Sequence, residues 1–286
     1  MYVIISPSKT QDFGREIVLP GKVADVAMIP EWNEQTKQLA EVMKRFNVEE
    51  LGKMMKISSK LAELNFERFQ DWDGAYGLKS TYSPAILAFL GDVYRSFDLE
   101  SWKVAEYTYA HKHLGILSGF YGLISPLSYI QPYRLEMGTR MSFFTKGGKA
   151  EYKNLYNFWS EMLTEKIAGI LREERILVNL ASMEYSKVIN RKMLEEVSGG
   201  KAQVIDVDFK VNKVNNKTGK REEKVIAIYA KRARGLMSNW IIKNKPKSLK
   251  DLEKFKEDGW EFREWDEPDD KNGKRVVFVK KVYEET

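Results

Sequence analysis

The chain has 286 residues, 43% of them hydrophobic and 31% charged, with a formal net charge of +6; this is the profile of a soluble globular protein with ample core. It contains no cysteine and only two histidines, His111 and His113; the lack of thiols excludes disulfides, thiol chemistry and thiolate zinc sites. No apolar run reaches the ~20 residues a membrane helix needs, and the opening MYVIISPSKT lacks the basic-then-apolar pattern of a signal peptide, so the cytoplasm is the expected location.

His111 and His113 are two residues apart, which sets them on different faces of a helix. Neither a His-centred metal site nor a cofactor is expected, while a carboxylate site for Mg²⁺ stays open. The charge is unevenly spread. Residues 210–250 carry thirteen Lys or Arg against Glu222 and Glu223, and residues 251–286 carry eight basic against twelve acidic side chains. A basic block of that size favours phosphate-bearing partners; the alternative is a solvated Lys-rich face.

Tyr2–Ile5 reads as a first buried strand followed by the loop Ser6-Pro7-Ser8-Lys9-Thr10. Open α/β sheets bind ligands at such strand ends, which makes Lys9 a candidate phosphate contact. The glycines of a phosphate loop are missing, and Ser6 and Ser8 can equally cap the turn. Residues 33–46 carry the apolar spacing of an amphipathic helix.

Two short helices are expected over 49–55 and 60–69, separated by Lys56-Ile57-Ser58-Ser59. The segment MKISSKLA resembles a helix-hairpin-helix motif, in which backbone N–H groups and a following Lys grip a DNA phosphate. Lys56 and Ser58 stand where that motif carries glycines. A plain packing unit with Ser58 or Ser59 as N-cap is the competing account.

Ala85 to Leu90 form a continuous apolar run expected as a buried strand. Asp92 then either caps a helix starting near Val93 or accepts a hydrogen bond from a ligand. Residues 99–113 read as a helix that delivers the chain to LGILSGFYGLISPLSYIQPYRLEMG, 114–138. This long stretch of glycines, prolines, aromatics and the charge pair Arg134 and Glu136 has the character of a functional loop.

The longest amphipathic helix is expected over 151–174, followed by a buried strand over 176–181 whose Asn179 needs hydrogen-bond partners. Strands are expected over 203–211 and 224–229, joined by a turn at 215–219. Lys231, Arg232 and Arg234 then sit at an expected strand-to-helix junction, where they repel one another unless an anion is present. A short helix over 248–255 and strands over 260–265 and 275–282, joined by a turn at 269–273, close the chain. The pattern is α/β: a central mixed sheet flanked by helices in one domain over 1–286.

The segments ISPSKT, MKISSKLAELNFERF, AILAFLGDVY, LSGFYGLISPLSYIQPYRLEMGTR, NLASMEYSK and YAKRARGLMSNWII together resemble, in the same order and across nearly the whole chain, the peroxide stress protein YaaA family. The resemblance implies a cytosolic protein that limits oxidative damage by restraining free iron. It also implies a DNA-binding α/β fold with a helix-hairpin-helix element, about 48–69, and a positively charged cleft. Carried over, the DNA and phosphate contacts are Lys56, Ser58, Ser59 and Lys60 at the hairpin, with Lys9, Arg134, Lys231, Arg232 and Arg234 in the cleft.

Two functions from different classes follow. In one, double-stranded or structured DNA is held mainly through its backbone. In the other, an enzyme acts on a nucleotide or nucleobase at a strand-end pocket drawing on Ser6, Lys9, Asp92, Ser118, Tyr121, Arg134, Glu136 and Glu184. There, Glu136 would be the general acid or base and Arg134 the anion clamp.

Overall fold

The computed structural model describes residues 1–15, 17–24, 26–77, 80–144, 151–214, 219–266 and 273–281. Its frame is an eight-stranded mixed sheet. In chain order the strands are β1 (Tyr2–Ile5), β2 (Leu114–Ser118), β3 (Gly122–Ile124), β4 (Ile176–Asn179), β5 (Gln203–Val214), β6 (Arg221–Lys224), β7 (Glu261–Asp266) and β8 (Lys274–Lys281). Across the sheet they lie in the order β7-β8-β5-β4-β1-β2-β3, with β6 pairing on β5 beyond β4. The five strands β8, β5, β4, β1 and β2 run parallel, and β3, β6 and β7 are antiparallel additions.

β1 is wholly buried, as an unbroken apolar run in the middle of a parallel sheet should be. The chain leaves β1 for β2 on one side and later returns to β4 on the other. This makes the carboxyl end of β1 a topological switch point, where open α/β sheets form a ligand crevice.

The helices that matter for this crevice are α1 (Asn33–Met43), α2 (Val48–Met55), α3 (Ser59–Asp71), α4 (Val104–His113), α5 (Leu155–Glu174) and α6 (Ala227–Asn244). α2 starts at a capping box in which the Asn47 side chain accepts from the Glu50 N–H while the Glu50 carboxylate accepts from the Asn47 N–H. Both satisfy donors that a helix start leaves unpaired. α5 buries Leu155, Phe158, Trp159, Leu163, Ile167 and Leu171 along one stripe, in keeping with its amphipathic spacing.

Two expected strands take other forms. Ala85–Ala88 is a single buried helical turn, and only Phe89–Leu90 is extended, pairing with Thr10–Gln11. A short apolar run carries no period that separates the two states. Here the turn is fixed by long-range bonds from the Ala85 and Ile86 N–H groups to the Ser128 and Pro126 carbonyls. The strand expected over 224–229 ends at Lys224, and α6 begins at Ala227. Lys231, Arg232 and Arg234 therefore lie inside a helix and not at its junction with a strand. The small residues Ala230, Ala233, Gly235 and Ser238 form its inner face. A β-carbon at Gly235 would overlap the Val93 carbonyl oxygen, so only glycine lets α6 approach that turn.

The remaining boundaries shift by a few residues: α5 starts at Leu155, after a two-residue strand at Glu151–Tyr152, and α4 starts at Val104. The turns expected at 215–219 and 269–273 fall almost wholly outside the described residues. Among the described residues no helix is long and apolar enough to cross a membrane.

Candidate functional site

The carboxyl ends of β1 and β4 are stitched together. The Ser182 N–H donates to Ser6 Oγ at 2.8 Å, and Ser6 Oγ donates to Ser182 Oγ at 3.2 Å. The buried Tyr94 hydroxyl donates to the Ser6 carbonyl at 2.9 Å. Ser8 closes the next turn by accepting from the Thr10 N–H, and the Lys9 side chain beside it reaches the segment that crosses the end of β2.

There the chain passes from Gln131 to Gly138 over the end of the sheet. A β-carbon on Gly119 would lie 2.5 Å from the Leu135 carbonyl oxygen and 2.9 Å from the Met137 nitrogen. The absence of a side chain at Gly119 is thus what lets this segment lie flat on the β2 turn. Gln11 anchors the segment's start by accepting from the Tyr133 N–H at 3.1 Å, and Glu184 anchors its end by accepting from the Gly138 N–H at 3.2 Å.

Between these anchors Glu136 points back at the β1 loop. Lys9 Nζ and Arg134 Nη2 each lie 2.9 Å from the same oxygen, Glu136 Oε1. The Arg134 and Glu136 side chains are largely buried, whereas Lys9 is 57% exposed. The Arg134 Nε is buried with no hydrogen-bond partner. Pro7, Ser8, Gln11, Tyr133, Leu135 and Tyr185 close around the trio and leave a hollow of only about 10 Å³. Burial, reinforced by the neighbouring phenols and carboxylates, pushes the hydroxyls of Tyr133 and Tyr185 far above the usual tyrosine range. They act there as neutral hydrogen-bonding groups.

α3 supplies a third cation that sequence reasoning did not single out. Burial first, and then the Arg134 charge, lower the Arg68 pKa. The described partner of Arg68 is the neutral Asn65 amide, at 3.4 Å. The helix is held in this position by its apolar face. Phe120, in the β2–β3 turn, packs against Phe69 and Trp72 of this stretch at 5.6 and 5.5 Å and stacks on Tyr133 at 5.3 Å. Arg68, Asp71, Trp72, Asp73, Gln131 and Pro132 are among the residues lining a second hollow of about 340 Å³. No motif marks Arg68; the signal for it is only its polar place beside the inward Phe69.

At the other end of α3 lies the turn singled out in the sequence. Lys56 adopts the left-handed conformation (φ 55°) with its N–H bonded to the Gly52 carbonyl, and Ser58 is the N-cap without a side-chain cap bond. Lys56, Ser58, Ser59 and Lys60 are all exposed. Lys56 takes the backbone region usually left to glycine, so the turn forms without the glycines of the motif.

The three α6 cations diverge. Lys231 and Arg232 are exposed, and Arg232 Nε lies 3.6 Å from Asp258. Arg234 turns inward: burial lowers its pKa while Asp208 pulls the other way, and its Nε is buried without a hydrogen-bond partner. The helical period explains the split, since Ala230, Ala233 and Met237 are buried on the inner face.

Several strand-end candidates are engaged in hydrogen bonds within the fold. Ser118 Oγ accepts from the Phe120 and Tyr121 N–H groups and shares a 2.7 Å hydrogen bond with the Tyr133 hydroxyl. The Tyr121 hydroxyl accepts from Trp72 Nε1 and from the Gln131 N–H, each at 2.9 Å. Asn179 donates to Asp206, which also takes Arg191, and accepts from the Ala181 N–H. The one-turn helix after Asp92 has Val93 as its N-cap and no side-chain cap bond, so Asp92 does not cap it.

The family model described as peroxide stress protein YaaA matches residues 1–266. A UPF0246 protein of Acaryochloris marina is 41% identical over 266 residues, covering 92% of this chain and 94% of its own. A UPF0246 protein of a Marinomonas species is 36% identical over 280 residues, covering 98% and 97%. These matches span the β1 loop, the α2–α3 turn, the 131–138 segment and α6 together, and the chain belongs to the peroxide stress protein YaaA family.

Proposed function

We infer that the chain acts in the cytoplasm during peroxide stress by holding double-stranded or structured DNA through its backbone phosphates. In this reading it limits iron-dependent damage by covering the DNA or by lowering the iron that reaches it. Family membership supports the stress role. The absence of cysteine leaves indirect protection as the route, since no thiolate is present to consume peroxide.

The observation that carries the DNA reading is the placement of cations along α3. Lys56 and Lys60 are exposed at the turn that opens the helix, and its first N–H groups lie beside them, an arrangement suited to a phosphate oxygen. Arg68 stands eight residues beyond Lys60, about 12 Å along the axis. Lys231 and Arg232 add exposed charge on α6.

The test is binding of the whole chain to short duplex, single-stranded and branched DNA across a salt series. Steep loss with salt, and uniform weakening across sequences in Lys60→Ala and in a Lys231→Ala/Arg232→Ala variant, is the expected outcome. Wild-type binding by both variants would remove the phosphate assignments.

A second reading is favoured by one specific feature, the convergence of Lys9 and Arg134 on a single oxygen of Glu136 at a topological switch point. In that reading the strand-end hollow is the pocket of an enzyme acting on a nucleotide or nucleobase. A Glu136→Gln variant that protects cells against peroxide as well as wild type counts against it.

A further inference from the structure

The cavity of about 340 Å³ at the end of α3, between Arg68, Asp71 and Asp73 on one side and Gln131 on the other, falls at the small end of the ~300–1,000 Å³ that ligand pockets occupy. One wall is fixed before any ligand arrives. Asp73 accepts from the Gln131 side chain and the Ala75 N–H through Oδ1, and from the Ser80 hydroxyl through Oδ2. The Gln131 side-chain oxygen accepts from the Asp73 N–H, and the Gln131 N–H donates to the buried Tyr121 hydroxyl. Burial by itself raises the Asp73 pKa, but these hydrogen bonds outweigh it and lower the value, so the group stays ionised at neutral pH. Two other charges on the same cavity are not engaged. Arg68 is half-buried, and the described partner of its guanidinium is the neutral Asn65 amide at 3.4 Å. Asp71 has no hydrogen bond or ion pair among the described residues, and neither aspartate is ion-paired with Arg68 there.

The balance of charge selects the ligand. The Arg68 guanidinium is a fork of donors that fits a carboxylate, but the two aspartates on the same cavity repel a simple anion. They draw a cation instead, which Arg68 opposes. A molecule that carries both signs answers all three side chains. We propose that this cavity binds a free basic amino acid, whose carboxylate lies on Arg68 and whose two cationic groups lie on Asp71 and Asp73. One guanidinium against two carboxylates leaves the lining with one net negative charge, which matches the single net positive charge of lysine or arginine and opposes glutamate. Asp73 Oδ2, held by Ser80 alone, has room for one more donor. Trp72 and Pro132 supply the apolar part of the lining, against which the methylenes of a long cationic side chain rest.

The site stands apart from the duplex reading and from the strand-end hollow, and its test contains no DNA. The full chain is titrated calorimetrically with L-lysine and with two truncated forms of it. Cadaverine is lysine without the carboxylate, and 6-aminohexanoate is lysine without the α-ammonium group. L-glutamate and inorganic phosphate serve as simple anions. Lysine should bind, and each truncated form should bind about tenfold more weakly or worse, the effect of losing a charge-assisted hydrogen bond. Arg68→Gln should erase the advantage of lysine over cadaverine, and Asp71→Asn should weaken lysine about tenfold. Melting curves check that both variants are folded, and the analogue series on the wild-type chain needs no variant. No heat and no thermal shift with lysine or arginine up to about 10 mM overturns the proposal. Cadaverine or 6-aminohexanoate binding as tightly as lysine overturns it too, because only one sign of charge is then read. Equal binding of glutamate or phosphate has the same force, as does unchanged lysine affinity in both folded variants.

Discussion

Gly119 and Leu135 are pressed so closely together that a β-carbon on the glycine would lie 2.5 Å from the leucine's carbonyl oxygen. That contact sets the height of the 131–138 segment above the sheet, and with it the place of Arg134 and Glu136. Gly119→Ala must push the segment outward, because the nearest atoms, of Leu135, Glu136 and Met137, belong to the backbone and cannot rotate away. Overpacking of this kind costs about 1–3 kcal/mol. A lowered melting temperature should therefore follow. An unchanged melt would mean that the segment is not held by this contact.

Ser118 is the hydroxyl on which the β2–β3 turn depends. Its oxygen accepts from two backbone N–H groups and pairs with the Tyr133 hydroxyl, all within a buried shell. Ser118→Ala leaves those partners unsatisfied and should destabilise by about 2–4 kcal/mol, since each buried orphan costs about 1–3. Chemical denaturation would show it as a shift in midpoint at constant slope.

The α6 cations should separate in mutagenesis. Lys231→Ala and Arg232→Ala remove exposed charge and should change stability by less than about 0.5 kcal/mol, while flattening the salt dependence of DNA binding by roughly one unit each. Arg234→Ala removes a largely buried side chain packed near Asp208 and should destabilise the fold. Parallel melting and binding curves decide between these behaviours, and equal effects of all three substitutions would contradict the orientation of α6.

His111 provides a pH test. Burial, and after it Lys112, lowers its pKa in the folded chain, so the unfolded chain binds the proton more readily. Stability from this source is full above the unfolded value of about 6.5 and is lost as pH falls through the lowered folded value. The denaturation midpoint should drop on acidification through that window, and His111→Gln should reduce the drop. An identical pH dependence in the variant would show that other groups dominate it.

Much of this protein is legible along the chain because its cause is local. β1, β4 and the stripe on α5 follow from apolar patterning that a buried strand or an amphipathic helix requires. The α2–α3 turn follows from a sharp break between two such patterns, and the polar ends of β1 and β4 mark the ligand edge of a parallel sheet. Lys9, Arg134 and Glu136 are readable as unusual charges in unusual loops. The run at Ala85 and the start of α6 are not legible in the same way. A short apolar run and a cation-rich stretch fit either state until distant carbonyls, or the close approach to Val93 that Gly235 allows, select one. Only the tertiary structure brings Lys9 and Glu136 together across 127 positions, sets Arg68 in a cavity with Asp73 and Gln131, and turns Arg234 inward while Lys231 and Arg232 face water. Those relations depend on which surfaces pack, a long-range property that no local spacing records.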